Sequence, residues 1–309
     1  MRVVFMGTPD FAVGTLEAIL DAGHEVALAV TQPDKPKGRG KTLTASPVKE
    51  CALIHGIPVY QPRRVREAEC IESIRQYHPD IIIVAAFGQI LPKELLKMPK
   101  YGCVNVHASL LPKYRGAAPI QWAILEGDSV SGITTMRMDE GLDTGDIIEQ
   151  EEVVLAEDET GGSLFLRLAE TGARLCVHTM RLIEEGNAVY TPQDASQATH
   201  VGMIQKQMGN IDWQKPARVI ERLVRGLNPW PSAYTHINGK TLKIWKAAAE
   251  EGGDPKKAGT VISVSKDACR VQTAEGILNL LEVQLEGKKR MEIEAFLRGY
   301  EIKEGVKLN

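Results

Sequence analysis

The run Pro79-Asp80-Ile81-Ile82-Ile83-Val84-Ala85-Ala86 decides the fold class. From Ile81 onward it is continuously apolar and rich in β-branched residues, with none of the alternation that a strand facing water on one side would show. Strands buried on both faces of a parallel sheet read this way. Working back from it, Arg2-Val3-Val4-Phe5-Met6 is a second such run, closed by Gly7-Thr8-Pro9-Asp10. A helix follows, with Phe11, Leu16, Ile19 and Leu20 on one face and Gly23 stopping it, and then a strand over Val26–Thr31. Strand, helix and strand at this spacing predict a parallel βαβ sheet. Working forward, Ile133–Met138 and Ile147–Val154 are predicted as later strands of the same sheet. Two helices are predicted after them, over Ser163–Ala169 and Ala173–Glu185, the second ended by Gly186. The N-terminal part is therefore α/β and Rossmann-like.

A chain of 309 residues accommodates one or two domains and a substantial core. Its 43% hydrophobic and 25% charged content is that of a soluble globular protein. No apolar run of about 18 residues predicts a membrane span, and Met1–Gly7 is too short an apolar run for a signal peptide. Cys51, Cys70, Cys103, Cys176 and Cys269 are scattered without a C-x-x-C pair. That spacing argues against a disulfide framework or a zinc knuckle and suits a reducing cytoplasm. Cys51 and His55 stand at i, i+4, but two ligands make a poor metal site; they are read as packing, and no metal is expected.

The net charge of -3 hides an asymmetry: residues 206–309 hold 18 Lys and Arg against 13 Asp and Glu, whereas the rest of the chain is acidic. A basic second domain with a polyanionic partner follows from that split. The boundaries predicted are 1–189 for a catalytic domain, 190–207 for a linker and 208–309 for a C-terminal domain. The linker reading rests on a stretch rich in Gln, Thr and Ala with little periodicity. Beyond it, a helix with Pro216 near its start runs to Gly226 and carries Arg218, Arg222 and Arg225 at i, i+4, i+7 as a basic stripe. After Asn228-Pro229-Trp230-Pro231, strands are predicted over Thr241–Trp245, Gly259–Val264, Ala268–Thr273 and Ile277–Gln284, with a turn at Asn238-Gly239. Short strands with such turns predict a small β-barrel, of which the oligonucleotide-binding barrel is one candidate.

Two loops exclude common functions. The first βα turn, Gly7-Thr8-Pro9-Asp10-Phe11, lacks the G-x-G-x-x-G of dinucleotide binders, and Pro9 removes an amide that a pyrophosphate would use; an NAD site is not expected. Gly40-Lys41-Thr42 resembles the end of a P-loop, but that motif needs glycine at position 35, where Lys35 stands. What remains is a Gly/Pro-rich loop with Lys35, Lys37, Arg39 and Lys41, suited to contact phosphates.

Chemistry is concentrated in two stretches. Val104-Asn105-Val106-His107 puts Asn105 and His107 on one face of a strand end, just before the loop Ala108–Pro119. The turn Asp139-Glu140-Gly141-Leu142-Asp143-Thr144-Gly145-Asp146 follows a neighbouring strand, and its glycines are read as letting the backbone bend so that the Asp143 carboxylate turns inward. An Asn/His/Asp set suits acyl transfer to an amine. Asn offers a neutral donor to a developing oxyanion, His donates or shuttles a proton, and Asp orients and supports a cationic His. Neither a G-x-S-x-G elbow nor a cysteine beside this histidine supplies a nucleophile, so direct attack by the substrate amine is predicted.

Asn105-Val106-His107-Ala108-Ser109-Leu110-Leu111-Pro112, Gly116-Ala117-Ala118-Pro119-Ile120 and Gly141-Leu142-Asp143-Thr144-Gly145 together resemble the folate-dependent formyltransferases. Gly7–Ala12, Thr31–Asp34, Ser46–Lys49 and Asn228–Pro231 extend the likeness over nearly the whole chain, to the branch that acts on charged tRNA. The resemblance implies 10-formyltetrahydrofolate as formyl donor and initiator methionyl-tRNA as acceptor. It implies Asn105, His107 and Asp143 as the catalytic set. It also implies folate contacts from Ser109, Leu110, Leu111 and Pro112 and from the backbone of Phe87 and Gly88, Gln89, Ile90 and Leu91. It implies tRNA contacts from the loop with Lys37, Arg39 and Lys41 and from the C-terminal barrel, where Arg218 and Arg222 are the candidates. A monomer is expected. The nearest rival is a sister formyltransferase acting on an amino sugar nucleotide; the cationic loop and Ser46-Pro47-Val48-Lys49 favour the tRNA branch. A purine-pathway transformylase would lack a second domain of this length. An RNA-binding module with a merely structural N-terminal half would have no use for the Asn/His/Asp set.

Overall fold

The structure is a computed structural model describing residues 1–37 and 42–309. Two compact units form. The first comprises Met1–Pro119, Val130–Val154 and Phe165–Val201, and the second Ile120–Ser129, Leu155–Leu164 and Gly202–Asn309.

The first unit is built on a seven-stranded sheet. Arg2–Gly7 sits between Glu25–Val30 and Ile81–Ala85, parallel to both, and Ile81–Ala85 is in turn parallel to Cys103–His107. Residues Ile81–Ala85 are all at most 5% exposed, as their unbroken apolar character requires. Each fully buried Ile contributes about 1.5–3 kcal/mol of transfer free energy. Val130–Arg137 and Ile147–Val154 join the same sheet as predicted, but as an antiparallel pair at its edge, so the sheet is mixed.

Helix Asp10–Asp21 buries Phe11, Leu16 and Ile19. Pro47–Ile54 starts at Ser46, whose Oγ accepts from the Lys49 N–H at 3.1 Å, with Pro47 at the first helical position. The two helices predicted over Ser163–Ala169 and Ala173–Glu185 are one continuous helix, Gly161–Glu184. Gly172 is no break. A Cβ there would lie 2.9 Å from Val106 Cγ1, so this glycine lets the helix lie close on the strand that carries Asn105 and His107.

The second unit contains a mainly antiparallel sheet in the order Ala233–Ile237, Lys240–Glu250, Ile277–Leu285, Cys269–Gln272, Val261–Val264. Asn238 and Gly239, at φ +48° and +74°, form the predicted two-residue turn. The last residues close the sheet into a barrel. Asn309 exchanges backbone hydrogen bonds with His236 on one edge, while Val306 O and Gly305 N–H bond to Val261 on the other. Trp213, Ile220, Val224, Leu242, Ile244, Leu280 and Phe296 lie in its core. No helix among the described residues is long and apolar enough to cross a membrane.

All five cysteines are buried and unpaired. Burial pushes the thiols of Cys103, Cys176 and Cys269 up to about 12. At pH 8 only about one in 10⁴ of such thiols is the reactive thiolate. Iodoacetamide at pH 8 is therefore expected to leave these three unmodified in the native protein and to label them once guanidinium unfolds it, as read by peptide mass spectrometry. Stoichiometric native labelling of Cys103 would contradict the packing described. Glu17 joins Cys51 and His55, their potential ligand atoms lying within 4.8 Å of one another. Burial and the Glu17 charge push the Cys51 thiol up, toward the protonated form that does not bind metal.

Candidate active site

Parallel pairing with Ile81–Ala85 on one side and antiparallel pairing with Val130–Arg137 on the other hold Cys103–His107 in register. Asn105 is opposite Val84 and Met136, and His107 opposite Thr134. Residues two apart on a strand share a face, so both side chains leave the sheet on the same side.

Asp143 meets them there. Asn105 Nδ2 donates to Asp143 Oδ1 at 3.5 Å, and His107 Nδ1 lies 3.9 Å from the same oxygen. The side chains of His107 and Asp143 are only 7% and 12% exposed, so the group is largely screened from bulk water. His107 Nε2 is 3.0 Å from the Tyr114 carbonyl oxygen. A carbonyl only accepts, so Nε2 carries the proton, and Nδ1 is the nitrogen turned toward Asp143. The other carboxylate oxygen, Asp143 Oδ2, accepts from the Gly116 N–H at 2.8 Å.

The bend at Asp143 is made differently from the sequence expectation. Asp143 itself has φ +53°, whereas Gly141 and Gly145 are not in the left-handed region. These glycines are needed for room: a Cβ on Gly141 would be 2.0 Å from Thr144 Oγ1, and one on Gly145 would be 1.8 Å from the Arg137 carbonyl oxygen. Ala86, Tyr114 and Ala118 also have positive φ, at +47°, +60° and +60°. Conformations costing about 1–3 kcal/mol each persist where surrounding contacts over-determine them, as they do in functional loops.

The residues expected to meet folate fall into two groups. Thr134 Oγ1 donates to Ser109 O at 2.7 Å and accepts from the Leu111 N–H at 3.0 Å, tying down the run after His107. Ser109 is 1% and Leu111 3% exposed, and Ser109 Oγ is engaged by Lys113 O, so Leu110 and Pro112 keep the accessible surface. Just after the strand Ile81–Ala85, Gln32 Nε2 donates to the Phe87 carbonyl at 3.1 Å, and Gly88 has φ +79°. Gln89 turns away, accepting from the Val65 N–H at 2.8 Å and donating to Pro62 O. Ile90 is 74% exposed and Leu91 buried. Among the described residues no hydrogen bond engages the backbone N–H or C=O of Ile90 or Leu91.

Arg39 and Lys41 lie outside the described residues; Lys37 is in the strand Lys35–Lys37, paired with Thr42–Thr44. The base of this loop is tied down by Asp34, which accepts from Lys49 Nζ and Gln61 Nε2, both at 2.7 Å. These two bonds, Lys49 first, hold the Asp34 carboxyl below the usual carboxylate range. In the second unit the basic stripe is only partly free. Arg222 Nη1 donates to the Glu126 carbonyl at the end of helix Pro119–Glu126, and Arg225 Nη1 to Glu159 O. Arg218 is exposed, 3.6 Å from Glu251. Together they line a cavity of about 580 Å³ with Ile124, Ser129 and Leu155.

Sequence reasoning missed Tyr114 O, the Gly116 N–H and Thr134, whose roles are made by backbone groups or by a threonine within an apolar strand. It also missed Gln193, whose Nε2 donates to the carbonyls of Asp143 and Gly145.

An amide donor and an imidazole thus converge on one carboxylate at the end of the strand Cys103–His107. The chain belongs to the formyl transferase family: the formyl transferase model matches residues 1–180 and the formyl transferase C-terminal domain model residues 203–301. It is a formyl-transferring enzyme. It is 64% identical over 305 residues to the methionyl-tRNA formyltransferase of Agathobacter rectalis, covering 99% of this chain and 98% of that one. It is 51% identical over 308 residues to the methionyl-tRNA formyltransferase of Clostridioides difficile, covering 100% of both. Among solved structures, WlaRD, a sugar 3N-formyl transferase crystallised in the presence of dTDP and 5-N-formyl-THF, shares the fold. Its TM-score is 0.66 and its identity 19%, over 94% of this chain and 99% of that one.

Proposed function

We propose that the chain transfers the formyl group of 10-formyltetrahydrofolate to the α-amine of initiator methionyl-tRNA, giving N-formylmethionyl-tRNA. The convergence of Asn105 and His107 on a single Asp143 oxygen carries the chemistry. Full-length likeness to relatives named for methionyl-tRNA supports the acceptor.

The folate co-substrate supplies the formyl carbon. The unengaged backbone of Ile90 and Leu91, with Leu110 and Pro112, would hold it. The neutral amine attacks that carbon, and Asn105 Nδ2 turns from Asp143 to donate to the oxyanion that forms. His107, oriented by Tyr114 O at Nε2 and by Asp143 beside Nδ1, helps to stabilise the same oxygen. The proton lost by the amine passes to the departing N10. No enzyme-bound covalent intermediate is formed.

The test is transfer of labelled formyl from 10-formyltetrahydrofolate to charged initiator tRNA, uncharged tRNA and an amino sugar nucleotide. Formylation of the charged tRNA alone is expected; formylation of the sugar nucleotide alone would overturn the acceptor. For the cationic loop, Arg39→Ala is expected to weaken tRNA binding and to reduce the slope of log K against log salt by about one, because one phosphate contact fewer releases fewer counterions. An unchanged slope in a filter-binding titration would remove Arg39 from the interface.

A further inference from the structure

We infer that Gln193, in a stretch whose composition reads as a linker, is a positioning residue that holds Asp143 in its reactive place. The inference rests on the formyl-transfer reading above. Gln193 Nε2 donates to Asp143 O at 2.9 Å and to Gly145 O at 2.7 Å, gripping the turn on both sides of Thr144. Its Oε1 accepts from Arg115 Nε at 3.1 Å and Arg115 Nη2 at 2.8 Å, and Arg115 is 6% exposed. The residue after Arg115 supplies the Gly116 N–H that bonds to Asp143 Oδ2. A ring of hydrogen bonds therefore runs from the Asp143 carboxylate through Gly116 and Arg115 to Gln193 and back to the Asp143 carbonyl.

The same stretch braces the histidine. Tyr114 N–H donates to Thr199 Oγ1 at 2.8 Å, Arg115 N–H to Thr199 O at 2.8 Å, and His200–Val201 pairs with Arg115–Gly116. These bonds anchor the loop whose Tyr114 carbonyl holds His107 Nε2. Only a side-chain amide does what Gln193 does. A carboxylate has no donor for two carbonyls, an ammonium has no acceptor for Arg115, and an aliphatic chain has neither. Asp143, at φ +53°, is in the left-handed region, which is sparsely populated by non-glycine residues. Gln193 makes no contact with Asn105 or His107 in the described hydrogen bonds; the member of the set that it bonds to directly is Asp143.

The test uses the full chain and the variants Gln193→Ala, Gln193→Met, which keeps the volume, and Gln193→Glu, which keeps the Arg115 contact but sets a carboxylate against two carbonyls. Each is expected to lower kcat by about 10–100-fold, the scale of a misplaced catalytic group, with KM for folate and for methionyl-tRNA within about threefold. In an Asp143→Asn background, measured in single turnover, Gln193→Met is expected to cost less than about threefold more, because its route through the carboxylate is already cut. Amide hydrogen exchange is expected to accelerate over Leu142–Asp146 in Gln193→Met and to be unchanged in the core strands. A kcat within twofold of the parent, equal losses in both backgrounds, unchanged exchange in the turn, or failure of all three variants to fold would overturn the inference. If the parent transfers no formyl to methionyl-tRNA, the functional reading fails, and the exchange result still decides what Gln193 holds.

Discussion

Asn105→Ala and His107→Ala are each expected to lower kcat by at least about 10²–10³-fold, with KM for both substrates little changed. Asn105 Nδ2 is a neutral side-chain donor 3.5 Å from Asp143 Oδ1, and His107 Nδ1 is the ring nitrogen left over once Nε2 is committed to Tyr114 O. Removing one preorganised donor from a transition-state oxyanion costs about 2.7–4 kcal/mol, since water replaces it at an energetic penalty in a screened site. Because the donor acts on charge that develops only in the transition state, the loss belongs in kcat rather than KM. Steady-state kinetics with charged initiator tRNA decide the matter, and near-normal kcat in both variants would remove the pair from the chemistry. The double variant is expected to lose less than the product of the two single losses, as groups serving one oxygen are not additive.

Gly145→Ala is expected to be nearly as damaging, although Gly145 touches no reacting group. A Cβ there would lie 1.8 Å from the Arg137 carbonyl oxygen and 2.9 Å from its carbon, both backbone atoms at the end of the paired strand Val130–Arg137. The turn must give way instead, and the turn carries Asp143. A displacement of about 1 Å at a catalytic group costs on the order of 10²-fold in rate. The accompanying overpacking costs about 1–3 kcal/mol in stability. A kcat reduced by about 10²-fold together with a lowered thermal midpoint is the expected outcome. A variant with kcat within twofold of the parent would mean that the turn can shift without moving Asp143.

Much of the first unit was legible because its strands are buried on both faces. Ile81–Ala85 and Arg2–Gly7 have no solvent side to encode, so hydrophobicity alone marks them. The edge pair Val130–Arg137 and Ile147–Val154 was legible as strands but not in direction, because direction is set by pairing partners distant in sequence. The break expected between Ala169 and Ala173 is absent, and Gly172 lies within the continuous helix. A glycine that allows close packing carries the same letter as one that ends a helix, and only Val106 lying opposite tells them apart.

The site divides the same way. Asn105 and His107 could be paired from their spacing, since the two-residue period of a strand is local geometry. Asp143 could be added as a carboxylate in a Gly-rich turn, and the resemblance to formyltransferases agreed with all three. That the turn bends at Asp143 rather than at its glycines depends on Gly116 and Gln193, which approach from elsewhere in the chain. Gln193 stands 50 residues beyond Asp143 in a stretch without periodicity, so no local pattern marks it. The sequence by itself thus determined the sheet, the strand that presents Asn105 and His107, and the kind of chemistry the residue set supports, all consequences of short-range period and composition. Tertiary structure alone decided which histidine nitrogen is free, what holds Asp143 in place and which arginines are already engaged, because each depends on a hydrogen bond between groups that only folding brings together.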